Sequence, residues 1–348
     1  MRPGKATALE ESADIQRVRT IVREHVHDPG DRRVRDHDHG EQSDCIGDRR
    51  ERVAFVTTSW PATEGDAAGH FVRAHAREVE RGGHEVVVVT PRPGGAFGWP
   101  GVEARICSQP LRALEAARWV IVARRQVARL AANRVVAHWA VPSGWPIGTA
   151  ARVPLHVVSH GGDVRLLAAL PRAARHAIAR SLATRAMSWS FASADLLHQL
   201  LEALDRPTQA LVGCVAVVRA PSIEIPNVTD AVSKLRRTLG TARVAVCVAR
   251  LVRAKRVDRA IEYVAQTDVL DALVIVGDGP ERARLEQLAR DRRVNTRFVG
   301  AVTRDEALAW IGSACVLVHA SEAEGLSSVV REAHALGTPV VFVKPRSP

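Results

Sequence analysis

Arg52 to Val89 reads RVAFVTTSWPATEGDAAGHFVRAHAREVERGGHEVVVV, and its periodicity decides the fold. Val53-Ala54-Phe55-Val56-Thr57 is a short apolar run, as a strand buried on both faces requires. A loop containing Pro and Gly follows from Ser59 to Gly69. Residues 71–81 have helical spacing, and Gly82-Gly83 stops them. Glu85-Val86-Val87-Val88-Val89 is the next strand. Strand, loop, helix, glycine stop and strand make one βαβ unit with a right-handed crossover.

The alternation continues outward. A helix is expected over 111–133, strands over 135–138 and 155–159, and helices over 171–187 and 194–204. A second series starts near Ala242, with strands at 244–249, 272–276, 296–299, 316–320 and 339–343. Its helices are expected at 258–267, 280–291, 304–312 and 328–336. The fold class is therefore α/β: two doubly wound, Rossmann-like domains with parallel sheets, joined around 221–233. The expected domains are 52–227 and 228–348. In such sheets ligands bind beyond the carboxyl ends of the strands, and with two domains a cleft between them is the expected site.

Residues 1–51 read differently. The run HVHDPGDRRVRDHDHGEQSDC is polar and charged, and cannot bury enough surface to offset its ordering entropy. Asp36-His37-Asp38 has a metal-diphosphate pattern, and His25, His27, His37 and His39 could bind a metal. No strand precedes them, so this segment is expected to be a disordered tail, and no metal site is expected.

The chain has 348 residues and a net charge of +11. The charge divides as −2 over 1–51, +8 over 52–227 and +5 over 228–348. Aromatics are 4% and no arginine block alternates with them, so nucleic acid is set aside as a partner. An anionic small ligand or an anionic membrane surface explains the sign instead. The five cysteines, Cys45, Cys107, Cys214, Cys247 and Cys315, are far apart and never form CxxC. That argues against disulfides and zinc and fits a reducing cytoplasm. MRPGKATALEES lacks an apolar signal core, and no apolar run reaches membrane-spanning length. The helix at 111–133 and its end carry Arg112, Arg118, Arg124, Arg125, Arg129 and Arg134 around Trp119 and aliphatics. Such a helix could lie on an anionic membrane.

The C-terminal half carries the chemistry. In VARLVRAK, Arg250 ends a strand and a short loop delivers Lys255. Two cations there suit a diphosphate. In EGLSSVVRE, a Ser/Glu/Gly loop enters a helix near Ser327-Ser328, whose free N–H groups suit an anion. Glu324 precedes that helix and Glu332 lies eight residues on. VGDGPERARLEQL is a tight strand-to-helix turn with Gly277 and Gly279. With Arg282 in the sixth position, it fails as a dinucleotide fingerprint.

RLVRAK, IVGDGPE, FVG, EGLSSVVREA and GTPVV, in this order and spacing, resemble the family-4 retaining glycosyltransferases of the GT-B fold. The opening βαβ unit, AHWAVPSG and VVSHGGDV resemble the N-terminal half of the same family. The likeness spans about residues 52–343. It implies that Arg250, Lys255, Leu326 and Ser327 hold the diphosphate of a nucleotide sugar. It implies that Glu324 lies by the donor sugar and Glu332 holds the ribose, with Gly279, Val299 and Gly300 near the base. His160 is implied near the reaction centre, with Asp66, Gly69, His138 and Asp163 on the acceptor side.

The implied reaction moves a hexose to a glycan or lipid-linked acceptor with retention. No cofactor is expected; the cysteine usage places the protein in the cytoplasm, and the basic helix at 111–133 suits peripheral contact with the membrane. Ala249 stands where the family has Gly, and PNVTD (226–230) where it has PNGVD. The family continues past GTPVV with a Gly-rich loop, a strand and helices, so the C-terminal domain is expected to be incomplete. An inactive relative serving as a binding or membrane-associated module is the alternative. Another GT-B enzyme, such as a sugar-nucleotide epimerase, is a third reading.

Overall fold

The computed structural model describes residues 50–63, 65–66, 68–98, 102–220, 223–321 and 327–343. The chain divides between Glu224 and Ile225 into two compact units. The N-terminal unit runs β1 (Arg52–Val56), α1 (His70–Arg81), β2 (Glu85–Val89), α2 (Val102–Ser108), α3 (Arg112–Arg129) and β3 (Arg134–His138). It continues with β4 (Leu155–Ser159), α4 (Gly162–Ala169), α5 (Arg172–Arg185), β5 (Ala186–Phe191), α6 (Ala194–Glu202), α7 (Arg206–Val215) and β6 (Ala216–Val218).

The C-terminal unit runs α8 (Thr229–Leu239), β7 (Val244–Val248), α9 (Val257–Ala265), β8 (Ala272–Val276), α10 (Arg282–Asp291) and β9 (Thr296–Gly300). It closes with α11 (Arg304–Ser313), β10 (Val316–His319), α12 (Ser328–Ala335) and β11 (Val340–Phe342).

Both sheets are parallel, with strand orders β2-β1-β3-β4-β5-β6 and β11-β10-β7-β8-β9. The order reverses between β1 and β3 in the first sheet and between β7 and β10 in the second. These switch points open a crevice at the carboxyl ends of the strands, because the flanking crossovers leave on opposite faces.

The inner strands β1, β3, β7, β8 and β10 are buried on both faces, which accounts for their continuous apolar sequences. Val53, Ala54, Phe55 and Val56 are all fully buried. Trp189 of β5 is fully buried too, and its indole N–H donates to Ser159 Oγ of β4 at 2.9 Å. Side-chain caps fix several helix starts. Ser193 caps α6 and Asp205 caps α7, while Thr303 and Glu306 form a capping box on α11.

The structure differs from the sequence reading in places. The expected helix at 111–133 ends at Arg129, and Asn133 instead pairs through its N–H and side chain with Arg52. The helix expected to reach 187 stops at Arg185, because Ala186 begins β5. Glu51, placed in the tail by composition, accepts the Glu85 N–H at 2.8 Å and pairs with Arg134 at 3.1 Å. The two sequence departures have local explanations. Val228 takes φ −110° before α8 and buries its side chain, while Asn227 Oδ1 accepts the Thr229 N–H. Ala249 keeps a negative φ, and the left-handed geometry falls on Gly277 and Gly279 instead.

Gly277 has φ +131°, and a Cβ there would meet the Ala249 carbonyl oxygen at 1.9 Å. Gly277→Ala should therefore destabilise the protein by about 2–3 kcal/mol. Gly213 of α7 has open space around its missing Cβ, so Gly213→Ala should stabilise by about 0.5–1 kcal/mol. Urea unfolding of the pair checks both signs.

Candidate functional site

In the C-terminal unit the candidate residues gather around the β7/β10 switch point. β7 ends at Val248, and Arg250 follows with its side chain exposed. A short 3-10 turn, Arg253–Lys255, then delivers Lys255, half-buried. The Lys255 ammonium acts on His319, the last residue of β10, from across the switch. Burial first, and then that positive charge, push the His319 imidazole down to about 4. Burial likewise raises the thiol of Cys247, on β7, to about 12, against the opposing pull of Lys255.

α12 opens next to this point, with Ser327 as its flanking residue and no side-chain cap on its first N–H groups. Glu324 and Leu326 lie outside the described residues. Glu332, on the second turn of α12, is 5% exposed. Its Oε1 accepts from Arg304 Nε at 3.2 Å and Nη2 at 3.0 Å, joining α12 to α11 as a buried ion pair.

The loops after β7 and β8 are stitched by backbone. Leu251 N–H donates to the Asp278 carbonyl at 2.9 Å and Glu281 N–H to the Leu251 carbonyl at 3.0 Å. A Cβ on Gly279 would sit 2.5 Å from the Leu251 carbonyl oxygen. Val299 and Gly300 end β9, where Gly300 accepts the Gly277 N–H at 2.8 Å. Arg282, which broke the dinucleotide pattern, reaches back to Asp278 and to the Phe298 carbonyl.

In the N-terminal unit three histidines meet at the β1/β3 switch point. His138 ends β3, His160 follows β4, and His75 comes from α1. His75 Nδ1 lies 3.1 Å from His138 Nε2, and His138 Nδ1 lies 2.9 Å from His160 Nε2. The His138 and His160 rings are nearly coplanar in orientation, 9° apart with centroids at 5.1 Å. Phe55 stacks on His138 at 5.7 Å, and Phe71 and Trp139 cover His160 at 4.7 and 5.1 Å. His138 is 1% exposed.

Asp163 organises the loop backbone. It is 3% exposed and accepts the N–H groups of His160 at 3.1 Å, Gly161 at 3.0 Å and Ala140 at 2.7 Å. Trp139, just before Ala140, has φ +75°, a conformation that costs a non-glycine residue about 1–3 kcal/mol. Asp66 acts similarly, accepting from the Ala62 and Ala68 N–H groups. Gly69 has φ +75° and starts α1, where a Cβ would meet the Ser59 carbonyl oxygen at 2.5 Å.

Sequence reasoning missed His75, Arg304 and His319. His75 carried a usable signal: with Phe71 and Val79 it falls at i, i+4 spacing on the inward stripe of α1. Among the described residues no group of three His, Cys, Asp or Glu side chains could hold a metal ion, and no helix is long and apolar enough to cross a membrane.

Two parallel doubly wound units with crevice-lining residues at their switch points define the GT-B class of fold. The match to solved structures agrees with this. A sucrose-phosphate synthase from Thermosynechococcus elongatus superposes with a TM-score of 0.63 at 19% identity, over 84% of this chain and 81% of that one. HepE of Anabaena, solved in complex with UDP-glucose, gives a TM-score of 0.58 at 19% identity over 84% and 80%. Residues 233–348, within the C-terminal unit, match the family described as glycosyl transferases group 1. A protein of Bacillus subtilis (strain 168) named "Putative teichuronic acid biosynthesis glycosyltransferase TuaC" is 23% identical over 337 residues, 83% of this chain and 80% of that protein.

Burial, and for His160 also the nearby His75, hold His75 and His160 down at about 4, and burial holds His138 well below its usual value. Between about 4 and 6.5 the unfolded chain therefore binds protons that the folded chain excludes. Stability is full above pH 6.5 and falls as pH drops through that window, at up to about 1.4 kcal/mol per pH unit for each such histidine. Urea midpoints measured from pH 7.5 to 4.5 should decline, and His75→Phe should flatten the decline.

Proposed function

We propose that this chain is a retaining glycosyltransferase that moves a hexose from a nucleoside-diphosphate sugar to a glycan or lipid-linked acceptor. The observation that carries the reading is the half-buried Lys255 beside the β7/β10 switch, where α12 begins. A cation and a helix start at one strand edge suit the two phosphates of a leaving nucleoside diphosphate. HepE binds UDP-glucose, which supports a UDP-sugar as the donor class. The glycosyltransferase name of the Bacillus relative supports polysaccharide synthesis.

In this proposal Arg250, Lys255, Ser327 and the first N–H groups of α12 hold the diphosphate. Glu332, fixed by Arg304, accepts the ribose hydroxyls. Gly279, Val299 and Gly300 lie near the base, and Glu324 and Leu326 by the sugar and phosphates. The bond between the anomeric carbon and the phosphate oxygen breaks with its electron pair going to the diphosphate. The acceptor oxygen bonds to the same face of that carbon, and its proton passes to the departing phosphate. Lys255 and Arg250 stabilise the charge that develops there. In the N-terminal unit His160 positions the sugar, and His138, Asp163, Asp66 and Gly69 shape the acceptor side.

Contact with an anionic membrane is the second part of the proposal, and α3 carries it. Leu111 is 81% exposed, Leu114 71%, and Ile121 and Val122 52% each. Helical spacing places these four on one stripe with Arg118, Arg125 and Arg129, opposite the buried Ala123 and Val127. Trp119 is not on that stripe, since it packs inward on Phe97 at 5.0 Å. The anchor is thus aliphatic and basic, a pattern that suits a headgroup interface.

A thermal-shift panel of nucleotide sugars tests the donor. A binding sugar nucleotide at 100 times its Kd should stabilise the protein by about 2.7 kcal/mol, and Lys255→Ala should abolish that shift. A shift that persists in Lys255→Ala, or no shift with any nucleotide sugar, contradicts the assignment. For the membrane, wild-type protein should sediment with phosphatidylglycerol vesicles at low salt and release as salt rises. The double variant Arg118→Glu, Arg125→Glu should stay in solution; failure of the wild type to bind at low salt contradicts the surface.

A further inference from the structure

The three histidines of the N-terminal unit form a series. His138 commits both of its ring nitrogens to other imidazoles, Nε2 to His75 and Nδ1 to His160. A neutral imidazole has one N–H donor and one bare acceptor nitrogen. His138 must therefore accept from one neighbour and donate to the other. Only two arrangements satisfy both bonds. In one, His75 Nδ1–H donates to His138 Nε2, His138 Nδ1–H donates to His160 Nε2, and His160 carries its own proton on Nδ1. In the other, every bond runs in reverse, His160 Nδ1 is bare, and His75 carries its proton on Nε2.

We infer that His75 and His138 are positioning residues that couple the tautomer of His160 to their own, so that the three imidazoles form one proton-sharing chain ending at His160 Nδ1 by the β1/β3 crevice. Switching between the two arrangements moves two protons, one across each hydrogen bond. One proton enters at His160 Nδ1 and one leaves from His75 Nε2, or the reverse, with no net charge left on the chain. What occupies the far end on α1 is thereby read at the crevice.

The surroundings favour neutral rings. Phe55 of β1 lies against both His138 and His75, and Phe71 and Trp139 close over His160. The charged groups that act on His75 are Glu78 of α1, Arg219 after β6 and Arg134 of β3, with His156 of β4 beside them. Asp163 of α4 acts on His160, and His138 feels only the other two histidines. Burial outweighs the acidic neighbours, and each ring repels a second positive charge on the next. Nitrogen lone pairs tied up in series with one another are not presented to a common metal, in keeping with the described residues as a whole.

The inference deepens the role proposed above for His160, but its test needs no sugar nucleotide, so the two can fail separately. Imidazole-15N NMR of the whole wild-type chain at pH 7.5 should show nitrogen–nitrogen coupling across both bonds, His75 Nδ1 to His138 Nε2 and His138 Nδ1 to His160 Nε2. Each ring should be neutral, and the three tautomers should agree, with every ring protonated on Nδ1 or every ring on Nε2. His75→Phe should lose the first coupling and leave His160 averaging between tautomers. Absence of both couplings in the folded wild type overturns the chain, whatever the variants do. A folded His75→Phe in which His160 keeps its wild-type tautomer overturns the positioning role.

Discussion

Parallel pairing places every loop that follows a strand on one edge of its sheet, and the rest of this molecule depends on that constraint. β1 pairs with both β2 and β3, and β7 with both β8 and β10. Each central strand thus marks the point where crossovers part to opposite faces. The crevice left there is the only part of a doubly wound sheet where loop side chains can converge on a ligand without disturbing the core. His138 and His160 occupy it in one unit, Lys255 and His319 in the other.

The two crevices differ in electrostatics because the sequence furnishes them differently. The C-terminal one is cationic, and its carboxylate Glu332 is already held by Arg304. Burying that pair costs desolvation, which the two charge-assisted hydrogen bonds offset in part. What the pair secures is a fixed carboxylate orientation on α12. The N-terminal crevice is neutral, lined by imidazoles and aromatic rings. Its backbone is fixed by Asp163, whose three accepted N–H groups hold the left-handed Trp139 in place.

Most of the fold was legible because buried parallel strands are continuous apolar runs. VVVV in β2 and ALVIV in β8 admit little else. The elements that escaped have physical reasons. β5 reads AMSWSF, with two serines that made it look like a helix end and the loop beyond it; its Ser190 sits between fully buried Trp189 and Phe191. β6 is three residues long, too short for any period. α4 begins Gly-Asp, which reads as loop, until Asp163 is seen to turn back on its own N-terminal backbone. α8 hid in the expected linker because it has no fully buried residue. At the sites, the local motifs around Lys255, Glu332 and His160 were visible. Their partners Arg304 and His319 were not, since each is brought in by the fold and carries no motif of its own, and His75 showed only as a polar residue on the inward stripe of α1.

The central proposal is that the β7/β10 crevice holds a nucleoside diphosphate. A crystal structure of the chain grown with UDP addresses it most directly. The account predicts the diphosphate within hydrogen-bond distance of Lys255 Nζ and of the first backbone N–H groups of α12, with ribose hydroxyls on Glu332. UDP bound elsewhere on the molecule, with Lys255 and Glu332 untouched, would contradict it.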